Sequence, residues 1–218
     1  MGSVSISDRP ANPKTEVLAM NPDVIRFAVG TSSLGSVLVG VSGKGVCAIL
    51  LGGDPAAVAR ELRDRFPSAQ LVAENERLGQ LMATVVGVVE APALGLDLVL
   101  DVRGTAFQLQ VWHALGEIPA GSTASYSDIA RRIGAPETAL EVAQACASNA
   151  IAVAIPCHRV VRKNGALSGY RWGVWRKRAL LQREAAALAA TRLLKNPQDA
   201  FSILLRREAR HDLLAEEA

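Results

Sequence analysis

The stretch SYSDIARRIGAPETALEVAQACASN, residues 125–149, decides the fold of the second half of this chain. Residues 125–134 have the pattern of a short helix that ends at Gly134. Residues 135–149 continue at once as a second helix, with Pro136 inside its first turn. Two short helices joined by a tight turn that contains glycine predict a helix-turn-helix. An ordinary helical hairpin in an all-α core fits the same pattern, and this stretch alone leaves both alternatives open.

The segments around this helix pair predict an all-α domain with a wing, over residues 104–190. Thr105 caps an apolar helix, and a further helix begins near Val174. Between them, VVRKNGALSG at 160–169 predicts a small β-hairpin, because its Asn-Gly pair is typical of a two-residue turn. A hairpin that follows a helix-turn-helix is a wing, so we expect a winged helix-turn-helix.

Residues 23–103 predict an α/β domain built on a small antiparallel sheet. Three short runs rich in Val, Ile and Leu are separated by Gly and Ser, which is the pattern of a three-stranded meander. They lie at 25–31, 35–42 and 45–53. The further elements that we expect are two helices and a last strand, at 54–66, 77–90 and 96–104.

The two ends of the chain differ from these domains. Residues 1–22 are polar and aperiodic, which predicts a flexible tail. Residues 191–218 predict an extra helical tail, for which the pattern indicates no function. Its apolar side carries Phe201, Leu204, Leu205 and Leu213.

Composition excludes several classes of protein. Half of the 218 residues are apolar, so the chain can bury a sizeable core. The longest apolar runs are too short to span a bilayer and no secretory signal opens the chain, so we expect a cytoplasmic protein that binds no membrane. The three cysteines lack CxxC spacing and the three histidines are scattered, which argues against a disulfide framework and a metal site.

Charge is unevenly distributed along the chain. The first 100 residues carry 8 Lys and Arg against 10 Asp and Glu, whereas the remainder carries 16 against 11. A basic second half is compatible with nucleic-acid binding, although such a balance is also common on an ordinary solvated surface.

The stretch AIPCHRVVR, residues 154–162, places one of the three cysteines between a proline and a histidine. A thiol must lose its proton to attack, and its usual pKa of about 8.5 leaves only a small ionised fraction at neutral pH. His158 and Arg159 follow directly, but adjacent residues in extended backbone point apart. On these residues alone, a catalytic thiol and a small buried side chain are equally good interpretations of Cys157.

The segment IPCHRVV followed by GALSGYRWG is similar to the active-site signature of the O6-alkylguanine-DNA alkyltransferases. The similarity covers residues 24–187 and is strongest to the carboxy-terminal half of Ada-type bacterial proteins, for example in DVRGTAFQLQVWHALGEIPAGSTASYSDIARRIG. The resemblance implies a ribonuclease-H-like first domain. It also implies DNA repair by one irreversible transfer of an alkyl group from O6 of guanine to the protein, with O4 of thymine as a second candidate.

The resemblance also implies the roles of the reacting residues. Cys157 is the nucleophile and the acceptor of the alkyl group, and His158 is its base through a bridging water. Glu184 orients and polarises His158, and Asn149 braces the active-site turn. This arrangement follows the nucleophile, base and orienter logic of hydrolytic triads.

The remaining residues implied by the resemblance bind the substrate. Tyr126 donates to the purine, which must be flipped out of the duplex at a cost on the order of a few kcal/mol. The helix-turn-helix binds the minor groove of double-stranded DNA that contains O6-alkylguanine, and the protein acts as a monomer without a cofactor. The pocket residues are Val160, Tyr170 and Arg171, and the DNA-contacting residues are Ala139, Leu140, Ala143 and Arg159.

The second helix of the helix-turn-helix departs from the family pattern. The family usually has AVRAV, whereas this chain has TALEV at 138–142, with Leu140 at the arginine position and Glu141 after it. Glu137 also stands where a lysine is common. Leu140 can wedge between bases, but the glutamates repel phosphates, so we hypothesise a weakened grip on duplex DNA.

Two other functions stay open at this point. One is a lesion-binding or regulatory protein that transfers nothing, but relatives of that kind replace the nucleophile and this chain retains Cys157. The other is a homologue that accepts an alkyl group from a different donor, which the altered helix and the extra tail keep open.

Overall fold

The structure is a computed structural model that describes residues 24–195. Its first half contains a four-stranded sheet. Strands β1 (Val24–Ser32), β2 (Gly35–Ser42) and β3 (Gly45–Gly52) form the antiparallel meander that the sequence predicts. Helix α1 (Pro55–Arg65) then reverses the chain, so that β4 (Gln70–Ala73) pairs in parallel with β1. The strand order is therefore β3-β2-β1-β4.

The rest of the described chain is mostly helical. Helix α2 (Gly79–Glu90) packs on β1 and β2 and is followed by a short 3-10 turn. Two very short strands pair in parallel among the helices of the second half. In chain order these elements are α3 (Ala106–Gly116), β5 (Ala124–Ser125), α4 (Tyr126–Arg132), α5 (Ala139–Ser148), a 3-10 turn (Cys157–Arg159), β6 (Val160–Val161) and α6 (Val174–Lys195).

Helix α1 begins and packs as its sequence predicts. Asp54 accepts a hydrogen bond from the N–H of Ala57 at 2.8 Å, and Pro55 occupies the first turn, where a missing N–H does no harm. Val58 and Leu62 are buried, and the helix packs on β2 and β3. Spacing of apolar residues was therefore sufficient to place this helix on the sheet.

The free edge of β3 is shared by two segments of the chain. Ile49 exchanges hydrogen bonds with Ala150 and Ala152, each at 2.9 Å, and Val46 exchanges them with residues 99 and 101, also at 2.9 Å. Because the edge is divided in this way, residues 96–104 make a single parallel bridge at Leu100 rather than a strand. The strand predicted at 96–104 is therefore wrong, and the sheet obtains its fourth strand from β4, whose four residues gave too short a pattern to detect.

The two helices that the opening stretch predicts are present as α4 and α5. Ser125 and Asp128 cap α4 reciprocally, and Gly134 has a φ of 75° in the turn that follows. Pro136 lies before α5 rather than inside its first turn, because α5 begins only at Ala139. The sequence analysis started the second helix at residue 135, which is four residues before its first residue in the structure, Ala139.

The hairpin predicted at 160–169 forms its turn but not its second strand. The N–H of Arg162 bonds the carbonyl of Ala166 at 3.0 Å, and Gly165 has the positive φ of 77° that such a turn requires. Within residues 24–195, β6 pairs only with β5, so the segment after the turn has no strand partner. The resulting loop instead forms one wall of the pocket described below.

Arginine side chains join the two halves of the fold. Arg65 of α1 donates to the carbonyls of Ser148 and Asn149, at 2.8 and 3.0 Å, where α5 ends. From α6, Arg176 donates to the carbonyl of Leu34 at 2.7 Å. Carbonyls at the end of a helix have no partner within it, so Arg65 stabilises the end of α5 as well as the interface, whereas Arg176 holds the turn between β1 and β2.

The extra tail lies almost entirely outside the described residues. Residues 191–195 continue α6, and Phe201, Leu204, Leu205 and Leu213 fall beyond the described range. Across residues 24–195, every helix is too short or too polar to cross a bilayer.

We expect Arg65→Ala to lower the free energy of unfolding by about 2 kcal/mol, because two carbonyls at the end of α5 lose a charged donor. Urea denaturation followed by circular dichroism measures the change. Arg63→Ala is the matched control, since Arg63 is exposed on the same helix and its loss is expected to cost under about 0.5 kcal/mol. Equal losses in the two variants would contradict the role given to Arg65.

Candidate active site

The active-site turn, residues 149–157, starts where α5 ends and is organised by one side-chain amide. Asn149 is fully buried and caps α5. Its Nδ2 donates to the carbonyl of Ile155 at 2.9 Å and to Sγ of Cys157 at 3.2 Å. Its Oδ1 accepts from the N–H of Ile151 at 2.9 Å. One amide thus holds both ends of the turn, which is the bracing geometry that the resemblance implies for Asn149.

Val153 gives this turn a strained backbone. Its φ is 60°, and it is the only residue other than glycine with a positive φ among residues 24–195. A β-branched side chain is disfavoured in that conformation, at a cost of about 1–3 kcal/mol. The strain persists because Asn149 fixes the turn from inside and Ile49 of β3 fixes Ala150 and Ala152.

The sulfur of Cys157 is buried at the end of this turn. The residue is 4 % exposed, and burial raises the pKa of its thiol above the usual value. The hydrogen bond from Asn149 and the charge of Lys177 act in the opposite direction but do not outweigh burial. The resting thiol is therefore neutral and poorly reactive, so its proton has to be removed when a substrate is present.

His158, the residue after Cys157 in the chain, forms a buried pair with Glu184. Nε2 of His158 lies 2.8 Å from Oε1 of Glu184, and both side chains are fully buried. Arg159 donates to the same carboxylate through Nε at 3.0 Å and Nη2 at 2.9 Å, and to the carbonyl of Ile118 at 2.6 Å. The N–H of Gly121 adds a bond of 3.0 Å. Glu184 is thus held by an imidazole, a guanidinium and a backbone amide.

The position of Arg159 differs from the DNA contact expected for it. Its side chain is buried, and its guanidinium is used by Glu184 and Ile118. We therefore assign Arg159 to holding Glu184 rather than to binding phosphate.

These contacts set the protonation states of the pair. Burial by itself raises the pKa of Glu184, but hydrogen bonds from His158, Arg159 and Gly121 outweigh it and hold the pKa at about 2. Burial lowers the pKa of His158 despite the carboxylate, so the imidazole is neutral at neutral pH. We assign its hydrogen to Nε2, which faces a carboxylate. Nδ1, which is buried and has no partner within the described residues, is then free to accept a proton.

A cavity of about 520 Å³ opens over Cys157. Its walls come from the start of α4, one face of α5 and the loop after β6. The hydroxyl of Tyr126 lies 2.6 Å from Oγ of Ser168 across this space. The side chains that line it include Tyr126, Ala143, Cys146, Ser168, Tyr170 and Arg171.

Two of the predicted pocket residues have distinct surroundings. Tyr170 is packed edge-on against Trp172, with ring centroids 5.2 Å apart, and its buried hydroxyl has no protein partner within residues 24–195. Arg171 donates to Glu61 of α1 at 2.6 Å and to the carbonyl of Ala147 at 3.3 Å. Arg171 therefore ties the pocket wall to the first half of the chain.

The other predicted residues lie on β6 and α5. Val160 is fully buried and pairs with Ala124 between β6 and β5, which positions the loop that follows it. Ala139, Leu140 and Ala143 lie on α5; Ala143 lines the cavity, and Leu140 is 69 % exposed.

Three side chains that the sequence did not single out belong to this region: Arg65, Ser168 and Lys177. Lys177 stands between two arginines, and the sequence pattern alone does not show that its side chain is buried. Ser168 and Arg65 reach the site only through the folding of a loop and of a distant helix. Across residues 24–195, no three His, Cys, Asp or Glu side chains come together in a way that could hold a metal ion.

The ionised form of Glu184 stabilises the folded state, because its pKa falls from an ordinary 4.5 to about 2 on folding. That contribution, about 3 kcal/mol, is complete above pH 4.5 and is lost as the pH falls towards 2. We therefore expect Glu184→Gln to destabilise the protein strongly at pH 6 and much less at pH 3, as measured by urea denaturation. Glu76→Gln, at an exposed position, is the control. A destabilisation that does not depend on pH would refute the assignment.

The chain is similar in sequence to DNA-repair methyltransferases. Residues 106–186 match the family model described as 6-O-methylguanine DNA methyltransferase, DNA binding domain. The chain is 49% identical over 161 residues to the "Bifunctional transcriptional activator/DNA repair enzyme Ada" of Escherichia coli, which covers 74% of this chain and 46% of that protein. It thus spans about half the length of the Ada proteins that it matches.

In two further comparisons, the matched region covers most of the relative's own length. The O6-methylguanine methyltransferase structure of Mycobacterium tuberculosis matches with a TM-score of 0.62 and 31% identity, over 75% of this chain and 94% of that one. The inducible methylated-DNA–protein-cysteine methyltransferase of Bacillus subtilis is 41% identical over 125 residues, which are 57% of this chain and 70% of that protein. This chain therefore belongs to the methylated-DNA–protein-cysteine methyltransferase family.

Proposed function

We propose that this chain repairs DNA by transferring an alkyl group from O6 of guanine to Sγ of Cys157, once per molecule. The observation that carries the proposal is the arrangement around the sulfur. Cys157 lies at a cavity large enough for a nucleobase, it is bonded to Asn149, and it is followed in the chain by the buried His158–Glu184 pair. Relatives named as methylated-DNA–protein-cysteine methyltransferases support transfer over the alternative of binding alone.

The proposed reaction separates the removal of one proton from the delivery of another. His158 takes the thiol proton at Nδ1 through a water molecule, and Glu184 stabilises the imidazolium that forms. The sulfur then attacks the alkyl carbon as the bond from that carbon to O6 breaks. Tyr126 donates a proton to the departing guanine, which leaves as the neutral base. The thioether has no route back to a thiol, so the protein acts a single time.

The substrate is proposed to be a base flipped out of double-stranded DNA. Sγ lies in a cavity that a guanine inside a stacked duplex does not reach, so eversion is required, at a cost on the order of a few kcal/mol. A related structure from M. tuberculosis, matching with a TM-score of 0.60 and 32% identity over 74% of this chain and 93% of that one, is a complex with DNA.

The pair α4 and α5 is proposed to act as a helix-turn-helix on the minor groove. Ala139 and Ala143 are small enough to allow close approach, and Leu140 projects from the same helix. Glu137 and Glu141, both exposed, place negative charge where phosphates approach. We propose that Leu140 acts as an apolar wedge and that the glutamates weaken the grip on DNA.

The remaining parts of the proposal concern the domain division, the oligomeric state and the cellular location. The strand order, with β4 parallel to β1, supports a ribonuclease-H-like first domain over 23–103, and the remainder to residue 190 is the transferase domain. A monomer in the cytoplasm, where DNA is accessible, completes the proposal. The transcriptional activity named for Ada is not included, because the chain spans about half of that protein.

We expect one methyl group on Cys157 after incubation with an oligonucleotide duplex that carries O6-methylguanine. Intact mass and peptide mapping measure the number of groups and their position. Cys157→Ser should accept none. Cys47→Ala, which removes a thiol buried in β3, should accept the group as the wild type does. Methylation elsewhere, or none on the folded wild-type chain, would sink the proposal.

The DNA-binding proposal predicts that Leu140→Arg tightens binding to duplex DNA and steepens its salt dependence by about one unit of slope, since one further phosphate is neutralised. Fluorescence anisotropy at several salt concentrations measures both quantities. Leu94→Arg, which adds the same charge at an exposed leucine of the first half, should change neither. Equal affinities and slopes for wild type and Leu140→Arg would remove α5 from the DNA-binding surface.

A further inference from the structure

Lys177 is buried, whereas most lysines are exposed to solvent or paired with an acidic side chain. Its side chain is fully buried in the first turns of α6. In the described part of the chain it forms no ion pair with a carboxylate, and its Nζ has one side-chain partner, Oγ of Ser168, at 3.5 Å. A buried cation held by a single hydroxyl is costly, so a function for it is to be expected.

Ser168 connects this lysine to Tyr126. Oγ of Ser168 lies 2.6 Å from the hydroxyl of Tyr126 and 3.5 Å from Nζ of Lys177. The longer of these distances is at the limit for a hydrogen bond, as is common in sites without substrate. Both Tyr126 and Ser168 line the cavity over Cys157, so the chain of polar groups ends where a base would lie.

The chemistry of the three groups fixes the direction of the hydrogens. An ammonium group only donates, so Ser168 accepts from Lys177 and its own hydrogen is free to point to Tyr126. Tyr126 then accepts from Ser168, and its own hydrogen points away, into the cavity. The series therefore runs from Lys177 through Ser168 and Tyr126 towards the site of the purine.

We propose that Lys177, Ser168 and Tyr126 form a proton relay that supplies the departing guanine. The inference rests on the proposed function and adds the origin of the proton. As the bond between sulfur and carbon forms and the bond from carbon to O6 breaks, Tyr126 protonates the guanine, Ser168 reprotonates Tyr126, and Lys177 reprotonates Ser168. Lys177 ends neutral, and the thiol proton remains on His158, so charge and protons balance without a co-reactant.

The groups around Lys177 determine at which stage of the transfer it releases its proton. The titratable groups that face it are Cys157, Cys146 and His158, with Tyr126 beyond Ser168. Burial lowers the pKa of Lys177, while a thiolate at Cys157 would raise it. The ammonium is therefore stabilised while negative charge is on the sulfur. It becomes a stronger acid once that charge has passed to the purine.

The hydroxyl of Ser168 is the point at which the relay can be cut most selectively. We expect Ser168→Ala to slow single-turnover methyl transfer from an O6-methylguanine duplex by about 10- to 100-fold, and Ser168→Thr, which retains a hydroxyl, to recover most of the rate. Lys177→Met should slow it similarly. The double variant should be no slower than the slower single variant, because both substitutions break one path. Rates are measured by quenched mass spectrometry on folded, stoichiometrically active protein.

A pH profile separates a relay from a structural role. In the wild type, the transfer rate should fall as the pH rises through the lowered pKa of Lys177, because the proton source is then lost. The transfer rate of Ser168→Ala should be lower than that of the wild type and should not fall as the pH rises through the pKa of Lys177. Its rate should fall only when Tyr126 ionises, because burial raises the pKa of Tyr126 above its usual value. A variant that is merely less stable would keep the shape of the wild-type profile.

The possible results lead to different conclusions. Slow transfer by Ser168→Ala, rescue by Ser168→Thr and no additive loss in the double variant would support the relay. A wild-type rate in Ser168→Ala, or multiplied losses in the double variant, would overturn the relay and leave the proposed function intact. A folded wild-type chain that transfers nothing would overturn the proposed function and the relay with it.

Discussion

The buried side-chain amide of Asn149 is the constraint on which the site depends. It bonds the backbone at Ile151 and Ile155 and the sulfur of Cys157, so the end of α5, the turn and the reactive atom are held by one group. The strained backbone at Val153 is tolerated only because this amide and the edge of β3 over-determine the turn. The sheet of the first half therefore contributes to the site although it supplies no reacting residue.

Burial keeps two groups of the site neutral in the absence of substrate, and hydrogen bonds keep a third group ionised. Desolvation keeps the thiol of Cys157 and the imidazole of His158 neutral, which protects the sulfur from reacting without a substrate. Glu184 remains ionised because His158, Arg159 and Gly121 all donate to it, and it is ready to stabilise a charged imidazole. The proposed proton acceptor and the proposed proton relay are separate sets of residues, so one proton can leave while another is delivered.

Patterns of local origin were predictable from the sequence, and contacts over long distances were not. The three-stranded meander, helix α1 and the pair α4 and α5 follow from apolar spacing and capping residues. The strand expected at 96–104 failed because two segments share the edge of β3, a competition that no local pattern shows.

The same distinction holds for the candidate site. The resemblance of IPCHRVV indicated Cys157, His158, Glu184 and Asn149, and the fold brings all four together. Lys177 could not be recognised among neighbouring cations, because the sequence pattern does not show that Arg176 and Lys177 are buried while Arg178 is not, and burial is a tertiary property.

The central claim is that Cys157 accepts an alkyl group irreversibly, and stoichiometry tests it most directly. Radiolabelled O6-methylguanine duplex is added in increasing excess to a fixed amount of protein, and the methyl groups bound to the protein are counted. The account predicts that the count saturates at one group per chain and stays there with longer incubation. Continued repair beyond one group per chain, or the absence of any bound label, would contradict it.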